Sequence, residues 1–238
     1  MKLYSAPLSM FGAKAQIALL EKGIPFELEM VPYSLAERYR PKHPEVLRIN
    51  PKGQVPVLKD GDLELFDSTQ IFEYLEDRYR EPALWPRDAK ERAGVRLLEH
   101  LADEVFFPHV ATLMKLMGRR DSDEARDAVT SIRAFQARLD ARLAAQDYLA
   151  GNFTYADIAF FMAQLFAAFV MVVREPGLAR LAAWWSRVAA RPSVRTVAVP
   201  MLEYLRTQGG PVPPGLLEAD DGSAGGKPAD TPALPSRG

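Results

Sequence analysis

The sequence contains no cysteine. Disulfide bonds, thiolate zinc sites and cysteine nucleophiles are therefore excluded. Histidine is almost as scarce, and the three present, His43, His100 and His109, are too scattered along the chain to predict a metal site. We therefore expect no resident metal and no reaction that depends on a thiol of the protein itself.

Long apolar runs and a strong net charge are also missing. No apolar run approaches the roughly 18–20 residues that a membrane span requires. The formal net charge is −1, which argues against nucleic acid or an anionic membrane as the main partner. Met1 leads directly into a predicted strand without a signal-peptide pattern, so we expect a cytosolic protein. Hydrophobic residues make up 48% of the chain, which can supply a packed core.

The first 80 residues alternate between strand and helix patterns. The order predicts a βαβ unit followed by a ββα unit. Strands are expected at 2–5, 26–31, 55–58 and 63–66, and helices at 13–22 and 71–79.

Beyond the proline-rich linker 81–86, strand patterns almost vanish, and residues 87–206 form a predicted all-α domain. Pro108 should kink or unwind the first of its helices, and the segment 158–173 should be the buried central helix. Helical periodicity covers 88–117, 123–145, 158–173 and about 178–191. Residues 207–238 are rich in Gly and Pro and predict a disordered tail.

The most informative segment runs from Asn50 to Leu58 and is followed by Asp67-Ser68-Thr69. Asn-Pro-Lys-Gly is strong turn chemistry. Pro56 cannot donate to a sheet ladder, so its place at the start of a strand indicates an edge, a bulge or a cis peptide. Asp67 and Ser68 open an amphipathic helix whose N-terminus favours an anion. The pattern therefore predicts a ligand site.

These two segments together resemble the glutathione-binding half of the cytosolic glutathione transferase superfamily, of the bacterial serine type with a phi/tau/theta-like motif. The resemblance implies a thioredoxin-like α/β domain followed by an all-α domain, with glutathione as co-substrate. In that family the residue before a cis-proline pairs its backbone with the cysteinyl part of glutathione, and an acidic residue and a serine hold the γ-glutamyl end. The corresponding positions here are Val55 before Pro56, then Asp67 and Ser68. Most members have Glu in place of Asp67.

The resemblance extends to other residues of both halves. Lys42 and Gln54 are similar to residues that contact the glycyl carboxylate and main chain of glutathione. Gly151-Asn152-Phe153-Thr154-Tyr155-Ala156-Asp157 matches a structural box of the family, in which Thr154 caps a helix and Asp157 reaches back to the cap. The resemblance therefore covers roughly residues 1 to 205.

Activation of the glutathione thiol requires a hydrogen-bond donor and a positive potential, and Ser9 at the start of the first helix offers both. Ser9 also matches the catalytic serine of the family, which lies five residues before a basic residue, here Lys14. Tyr4 or Ser5 is the alternative, because some classes use a tyrosine at the end of the first strand.

The implied function is attack of glutathione thiolate on a small apolar electrophile, in detoxification, with a homodimer as the expected assembly. A non-catalytic binding or regulatory module of the same architecture is the alternative, and peroxide reduction is a possible side activity. The sequence does not identify the electrophile. Candidate residues of its pocket are Met10, Phe11, Phe106, His109, Leu113, Met117 and Phe166.

Overall fold

A computed structural model describes residues 1–40 and 42–216. The N-terminal half consists of four short strands and three helices. In chain order these are β1 (Lys2–Ser5), α1 (Met10–Glu21), β2 (Glu27–Met30), α2 (Pro44–Ile49), β3 (Val57–Asp60), β4 (Leu63–Phe66) and α3 (Ser68–Arg78).

The strands form one mixed sheet in the order β2-β1-β3-β4. Strand β1 runs parallel to β2 and antiparallel to β3, and β3 forms a hairpin with β4. Apolar residues of α1 and α3 pack against the sheet, with Leu19, Leu58 and Leu75 all buried between them. The predicted order of a βαβ unit followed by a ββα unit is confirmed. Helix α2 was not predicted, because its six residues are too few to show a helical period.

The second half is helical. Its elements are α4 (Ala89–His100), a π-helical turn (Leu101–Phe106), α5 (Phe107–Lys115), α6 (Asp123–Arg142), a 3₁₀ turn (Leu143–Ala145), α7 (Tyr155–Phe169), α8 (Ala179–Ala189) and α9 (Pro192–Thr207). Every residue of α7 is buried, so the predicted central helix is confirmed, although it begins at Tyr155. Helix α9 was not predicted.

The π-helical turn lies immediately before the position where Pro108 was expected to unwind the chain. Proline has no N–H and cannot complete an α-helical hydrogen bond, and a π turn accommodates an extra residue in the helix. The turn changes which side chains face the core. Phe106 is fully buried and its ring contacts Phe135 and Phe160, whereas the ring of Phe107 packs edge-on against Phe11 of α1.

One buried lysine fixes the connection between the two halves. Lys22 Nζ donates to the carbonyl oxygens of Tyr79 and Pro82, at 2.7 and 3.0 Å, and forms an ion pair of 2.7 Å with Glu76. The Glu76 carboxylate in turn accepts the backbone N–H groups of Leu84 and Trp85. Three backbone groups of the predicted linker, at Pro82, Leu84 and Trp85, are therefore satisfied by side chains of the N-terminal half.

The described chain continues past α9 as a packed segment. Leu216 is buried, and its carbonyl oxygen accepts a 3.0 Å hydrogen bond from Trp185 Nε1. Val212 packs against the same core. The packed part of the chain thus extends beyond Thr207, where the tail was expected to begin. The rest of that predicted tail, 217–238, lies outside the described residues.

Candidate active site

The site begins at the turn that leads into β3. Asn50 closes this turn: its Nδ2 donates to the Gln54 carbonyl oxygen at 2.6 Å, and its Oδ1 accepts the Lys52 N–H at 3.0 Å. The Val55–Pro56 peptide bond is cis, as the sequence pattern indicated. The ladder between β3 and β4 starts only at Val57, so Val55 precedes the paired part of the strand.

The second part of the site is the N-terminus of α3. Asp67 caps this helix and accepts the N–H groups of Thr69 and Gln70, at 2.9 and 3.3 Å. Its φ of +75° is a strained conformation for a residue with a side chain, and such strain clusters at functional sites. Ser68 is 1% exposed, yet its Oγ has no hydrogen-bond partner among residues 1–40 and 42–216. A buried hydroxyl without a partner calls for an explanation, since most buried polar groups are hydrogen-bonded.

These two parts line one cavity of about 370 Å³ between the N-terminal half and helix α4. The cavity brings together five of the residues predicted to bind glutathione: Gln54, Val55, Pro56, Asp67 and Ser68. The other lining residues are Phe11, Asn50, Lys52, Phe66, Thr69, Gln70, Glu99, His100, Asp103 and Glu104. Ser9 and Lys42 lie outside this lining.

Ser9 caps α1, and its Oγ accepts the N–H of Gly12 at 3.0 Å. It is 4% exposed. Phe11, two residues further on, is part of the cavity wall. A side chain at Gly12 would be impossible here, because a Cβ atom would come within 2.2 Å of Ser5 Oγ and 3.0 Å of Ser9 Oγ. The first turn of α1 therefore follows Ser9 with the cavity residue Phe11, and a side chain at Gly12 would crowd Ser5 and Ser9.

The alternative residues Tyr4 and Ser5 are also buried, but both have internal contacts. Ser5 Oγ accepts a 2.8 Å hydrogen bond from Gln16 Nε2. The ring of Tyr4 lies 5.1 Å from that of His43. Tyr4 and Ser5 are not among the residues that line the cavity described above.

Lys42 is held near the turn rather than in the cavity. Its Nζ donates to the Gly53 carbonyl oxygen at 2.6 Å and lies 5.4 Å above the ring of Tyr39. The ammonium has three N–H donors, so a ligand carboxylate could bind to it while the bond to Gly53 is kept.

A buried ion cluster forms the wall opposite the turn. Lys14 Nζ donates to Glu99 Oε1 at 2.8 Å and also to Asp103 Oδ2. Thr69 of α3 donates to the same Glu99 oxygen at 2.6 Å. The cluster therefore ties α1 and α3 to α4 and the π-helical turn, and it fixes the helix start that carries Ser68.

The charges of this cluster follow from burial and mutual attraction. Burial opposes the Lys14 ammonium, but Tyr155, Asp103 and Glu99 raise the pKa of Lys14 above its ordinary value. Burial also raises the pKa of the Asp103 carboxyl, to about 6, despite the attraction of Lys14. The pKa of Glu99 is below its ordinary value, because Lys14 more than offsets its burial. Asp103 Oδ1 has no hydrogen-bond partner, so this wall can accept a further donor.

Glu99 and Asp103 were not predicted to line the cavity. Only a helical period was visible there, and Lys14 contacts them across 85 and 89 residues of chain. Lys14 itself was noted only for its spacing from Ser9.

The predicted electrophile residues fall into two groups. Phe11 and His109 are half-buried, and Met117 is 51% exposed. Met10, Phe106, Leu113 and Phe166 are buried, and Phe106 and Leu113 belong to the core of the helical half. Phe107, which was not predicted, has the position next to Phe11: its ring lies 5.4 Å from Phe11 and 6.1 Å from Phe166.

The Thr154 and Asp157 box is structural, as expected. Asp157 is fully buried, and its carboxylate accepts hydrogen bonds from the backbone and hydroxyl of Thr154, from Leu149 N–H and from Trp184 Nε1. Burial raises the pKa of Asp157 even though all these bonds favour the carboxylate.

Two further observations concern the part of the chain that the structure describes. Among residues 1–40 and 42–216, no group of three His, Asp or Glu side chains is arranged to hold a metal ion. Within the same ranges, the helices are all too short or too polar to cross a bilayer.

Comparison with known proteins agrees with this architecture. Residues 3–83 match the family model for the glutathione S-transferase N-terminal domain, and residues 99–192 match that for the C-terminal domain. Glutathione S-transferase 4 of Zea mays is 33% identical over 211 residues, covering 83% of this chain and 91% of the maize protein. A stringent starvation protein A homolog of Haemophilus ducreyi is 31% identical over 159 residues, covering 66% of this chain and 70% of that protein.

Among solved structures, a theta class glutathione S-transferase from Xanthomonas axonopodis pv. citri with glutathione bound has a TM-score of 0.70 and 28% identity. The match covers 82% of this chain and 95% of that one. The N-terminal and C-terminal family models match the two halves of this chain in the order in which they occur. The solved glutathione S-transferase structure has a similar fold. The chain therefore belongs to the glutathione S-transferase family of enzymes.

Proposed function

We propose that the cavity between the turn and α3 binds glutathione, with the γ-glutamyl carboxylate at the N-terminus of α3. The observation that carries this proposal is Ser68 Oγ, which is buried, lines the cavity and has no partner. A carboxylate at this point would accept the hydroxyl and face the positive end of the α3 dipole. Asp67 beside it suits the ammonium group of the same γ-glutamyl end.

The rest of the tripeptide would follow the cavity wall towards α1. The Val55 backbone, presented by the cis bond before Pro56, would pair with the cysteinyl part. Gln54 and Lys42 would hold the main chain and the glycyl carboxylate. Lys42 uses its ammonium to donate to the Gly53 carbonyl oxygen, and its other N–H donors would serve the ligand.

Ser9 is proposed as the catalytic residue. A free thiol is largely protonated at pH 7, and a hydroxyl donor at a helix N-terminus favours the thiolate. Ser9 has this location, capping α1 two residues before the cavity residue Phe11. Tyr4 and Ser5 remain the alternatives.

The reaction would join the glutathione sulfur to an electrophilic carbon. The sulfur supplies the electron pair of the new C–S bond, and the thiol proton leaves to solvent. In a displacement the leaving group departs with its bonding pair, and in an addition the electrons move to the neighbouring atom, which then takes up a proton. The half-buried rings of Phe11 and Phe107, packed against the buried Phe166, offer an apolar surface for small electrophiles.

The test is Ser9→Ala. Loss of a charge-assisted hydrogen bond of about 1.5–3 kcal/mol corresponds to about one to two pKa units of the bound thiol. Turnover at neutral pH should fall roughly tenfold or more and recover partly as the pH rises. The measurement is the thiolate absorbance of the enzyme–glutathione complex against pH, together with turnover of a chlorinated nitrobenzene.

If Ser9→Ala changes neither the titration of the bound thiol nor the turnover, Ser9 does not activate the thiol, and Tyr4 and Ser5 become the candidates. Loss of glutathione binding would instead make Ser9 a residue for positioning the ligand.

A homodimer, a cytosolic location and a role in detoxification complete the proposal, and all three rest on the family resemblance. Two large apolar side chains that are exposed on consecutive elements, Leu97 of α4 and Val105 of the π-helical turn, further support the homodimer. Association through such a stripe would follow two-fold symmetry. Light scattering that reports a single chain mass at micromolar concentration would contradict it.

The similarity to a stringent starvation protein A homolog keeps a second function open, that of a non-catalytic binding or regulatory module. Retention on immobilised glutathione and turnover of the chlorinated nitrobenzene separate the two functions. A regulatory module would show no turnover at any pH.

A further inference from the structure

Two further cavities lie along the linker that connects the halves of the molecule. The smaller one, of about 350 Å³, is bordered by the end of α3, the linker and the start of α4. The larger one, of about 610 Å³, lies between the linker, α4 and the segment 142–154. Ala83, Trp85 and Arg87 line both cavities, so the two adjoin and form one linker cleft. Both volumes are in the range of small-molecule sites.

The linker cleft contains a buried hydrogen-bond donor that has no acceptor. Trp85 is 3% exposed, yet its Nε1 has no hydrogen-bond partner within the described part of the chain. Its ring is held by the edge of Phe72, at 4.8 Å, and by the guanidinium of Arg96, at 4.6 Å. The Nε1 groups of Trp184 and Trp185, by contrast, both donate to oxygen atoms of the protein. An indole N–H can only donate, so the missing partner of Trp85 is an acceptor.

The smaller cavity is rich in arginine, with Arg80, Arg87 and Arg92 in its lining. Arg80 has no hydrogen bond or ion pair with any residue that the structure describes. Arg92 donates from Nε to the Pro86 carbonyl oxygen at 2.8 Å, and its terminal N–H groups remain for a ligand. Arg87 forms an exposed ion pair with Glu81. Two guanidinium groups are therefore available to an anion.

Two carboxylates border the same cavity, and only one of them opposes an anion. The charge of Glu76 is balanced by the ammonium of Lys22, at 2.7 Å. Asp77 is exposed and forms no ion pair within the described residues. Arg80 and Arg92 together outweigh Asp77, so the potential of the smaller cavity is positive.

The larger cavity adds an apolar wall. Val95 is buried and Phe153 is half-buried in its lining. Apart from the shared Arg87, its charged lining residues are Arg142 and Glu91, which have opposite signs. Apolar contacts rather than net charge therefore determine what this cavity accepts.

We propose that the linker cleft binds a small organic phosphate, with the phosphate at Arg80, Arg92 and the Trp85 N–H and the apolar part in the larger cavity. A guanidinium presents parallel N–H donors that match two phosphate oxygens, and a third oxygen can accept the indole hydrogen. A phosphate monoester carries a charge of about −1.5 to −2 at neutral pH, which suits two available guanidinium groups.

This site is separate from the proposed glutathione cavity. Ser68 borders that cavity at the first residue of α3, whereas Arg80 lies just beyond the last. At 1.5 Å per residue, the two ends of this helix are roughly 15 Å apart. The two sites can therefore be tested independently.

The test is calorimetric titration of the full-length protein with phenyl phosphate at about 0.15 M salt. The native protein should bind it saturably. Arg80→Gln should weaken binding at least about tenfold, because hydrogen bonds between charged groups are lost. Trp85→Phe keeps an aromatic ring and removes the N–H, and should weaken binding about threefold to tenfold. Asp77→Asn should tighten binding about twofold to fivefold, because an exposed negative charge is removed.

Arg78→Gln is the matched control, since it removes the same charge from the same end of α3. Arg78 donates to the hydroxyls of Tyr74 and Tyr79 and does not line the smaller cavity. Its loss should change the affinity for phenyl phosphate less than about twofold. Inorganic phosphate should bind more weakly than phenyl phosphate, because it leaves the larger cavity empty. Glutathione affinity should be unchanged in Arg80→Gln and Asp77→Asn.

A native protein that does not bind phenyl phosphate saturably would overturn the proposal. Equal weakening in Arg80→Gln and Arg78→Gln would also overturn it, since the attraction would then come from net charge alone. Unchanged affinity in both Arg80→Gln and Asp77→Asn would show that the phosphate binds elsewhere. These two exposed substitutions decide the matter even if Trp85→Phe does not fold.

Discussion

Helices α3 and α7 both begin with an acidic residue and a hydroxyl residue, but the two starts differ in how completely their polar groups are satisfied. At α7, Asp157 is fully buried and accepts four hydrogen bonds from within the protein. At α3, Asp67 is exposed, and the buried Ser68 Oγ has no partner. The α3 start borders a cavity, whereas the α7 start is enclosed by Leu149 and Trp184.

Residue types alone therefore do not separate a binding site from a structural one. Ser, Thr and Asp are favoured at any helix start, because they satisfy its free N–H groups. The difference is whether the polar groups at the helix start already have hydrogen-bond partners within the protein. Groups that have such partners stabilise the fold, whereas a group that has none is available to a ligand. This comparison predicts opposite effects of similar substitutions.

The largest effect is expected for Asp157→Ala. Its loss leaves the buried donors of Leu149, Thr154 and Trp184 without an acceptor, and each orphaned donor costs about 1–3 kcal/mol. The free energy of unfolding should fall by at least about 3 kcal/mol, measured by urea denaturation. Asp147→Ala is the control: this carboxylate forms an exposed ion pair with Arg187, and its loss should cost under about 1 kcal/mol. If Asp157→Ala lowered the free energy of unfolding only slightly, the hydrogen bonds at the start of α7 would not be important for stability.

Ser68→Ala should act on binding rather than on stability. Glutathione affinity should fall at least about tenfold, because a hydrogen bond to a charged group is worth about 1.5–3 kcal/mol. The free energy of unfolding should be unchanged or slightly higher, since the substitution removes a buried hydroxyl that has no partner.

Calorimetry with glutathione and urea denaturation measure the two quantities for Ser68→Ala. Ser122→Ala is the matched control, because Ser122 caps α6 and its Oγ accepts the Ala125 N–H at 3.2 Å. That control should lose stability and keep its affinity. If Ser68→Ala instead loses stability and keeps its affinity for glutathione, as expected for Ser122→Ala, then Ser68 has only a structural role at the start of α3.

The smallest effect is expected for Thr154→Ala. Only the hydroxyl contact to Asp157 is removed, and the backbone bond of residue 154 remains. The free energy of unfolding should fall by about 1 kcal/mol, as for other N-caps. Affinity for glutathione should not change, and its loss in a folded Thr154→Ala protein would contradict the structural assignment of α7.

The features that the sequence predicted well are local. A spacing of three residues predicted the Thr154–Asp157 box. The turn and the proline at Val55–Pro56 left an edge, a bulge or a cis peptide open, and the family resemblance implied the cis bond that is observed. In both cases the chemistry that determines the geometry is contained in one short segment. The order of strands and helices along the N-terminal half was predictable for the same reason, since hairpins and βαβ units connect neighbouring segments.

The features that it did not predict depend on contacts between distant segments or on a shift of helical phase. Lys14 meets Glu99 and Asp103 only after the two halves pack together. Phe106 was predicted to face the electrophile, but the π-helical turn directs it into the core and leaves Phe107 against Phe11. A regular 3.6-residue period cannot reveal such a shift, because the pattern before the turn gives the wrong phase after it.

The Lys22 ion pair described above has a consequence for how the protein unfolds. Lys22 and Glu76 hold the connection against the N-terminal half, and the buried Tyr155 N–H at the start of α7 donates to the Leu84 carbonyl oxygen of the same connection, at 3.1 Å. Separation of the halves would therefore leave buried polar groups without partners, which costs free energy. We therefore expect the sheet-containing half and the helical half to lose their amide protection against hydrogen exchange together, as one cooperative unit. The proline-rich linker would then join the two halves firmly, so that they unfold together.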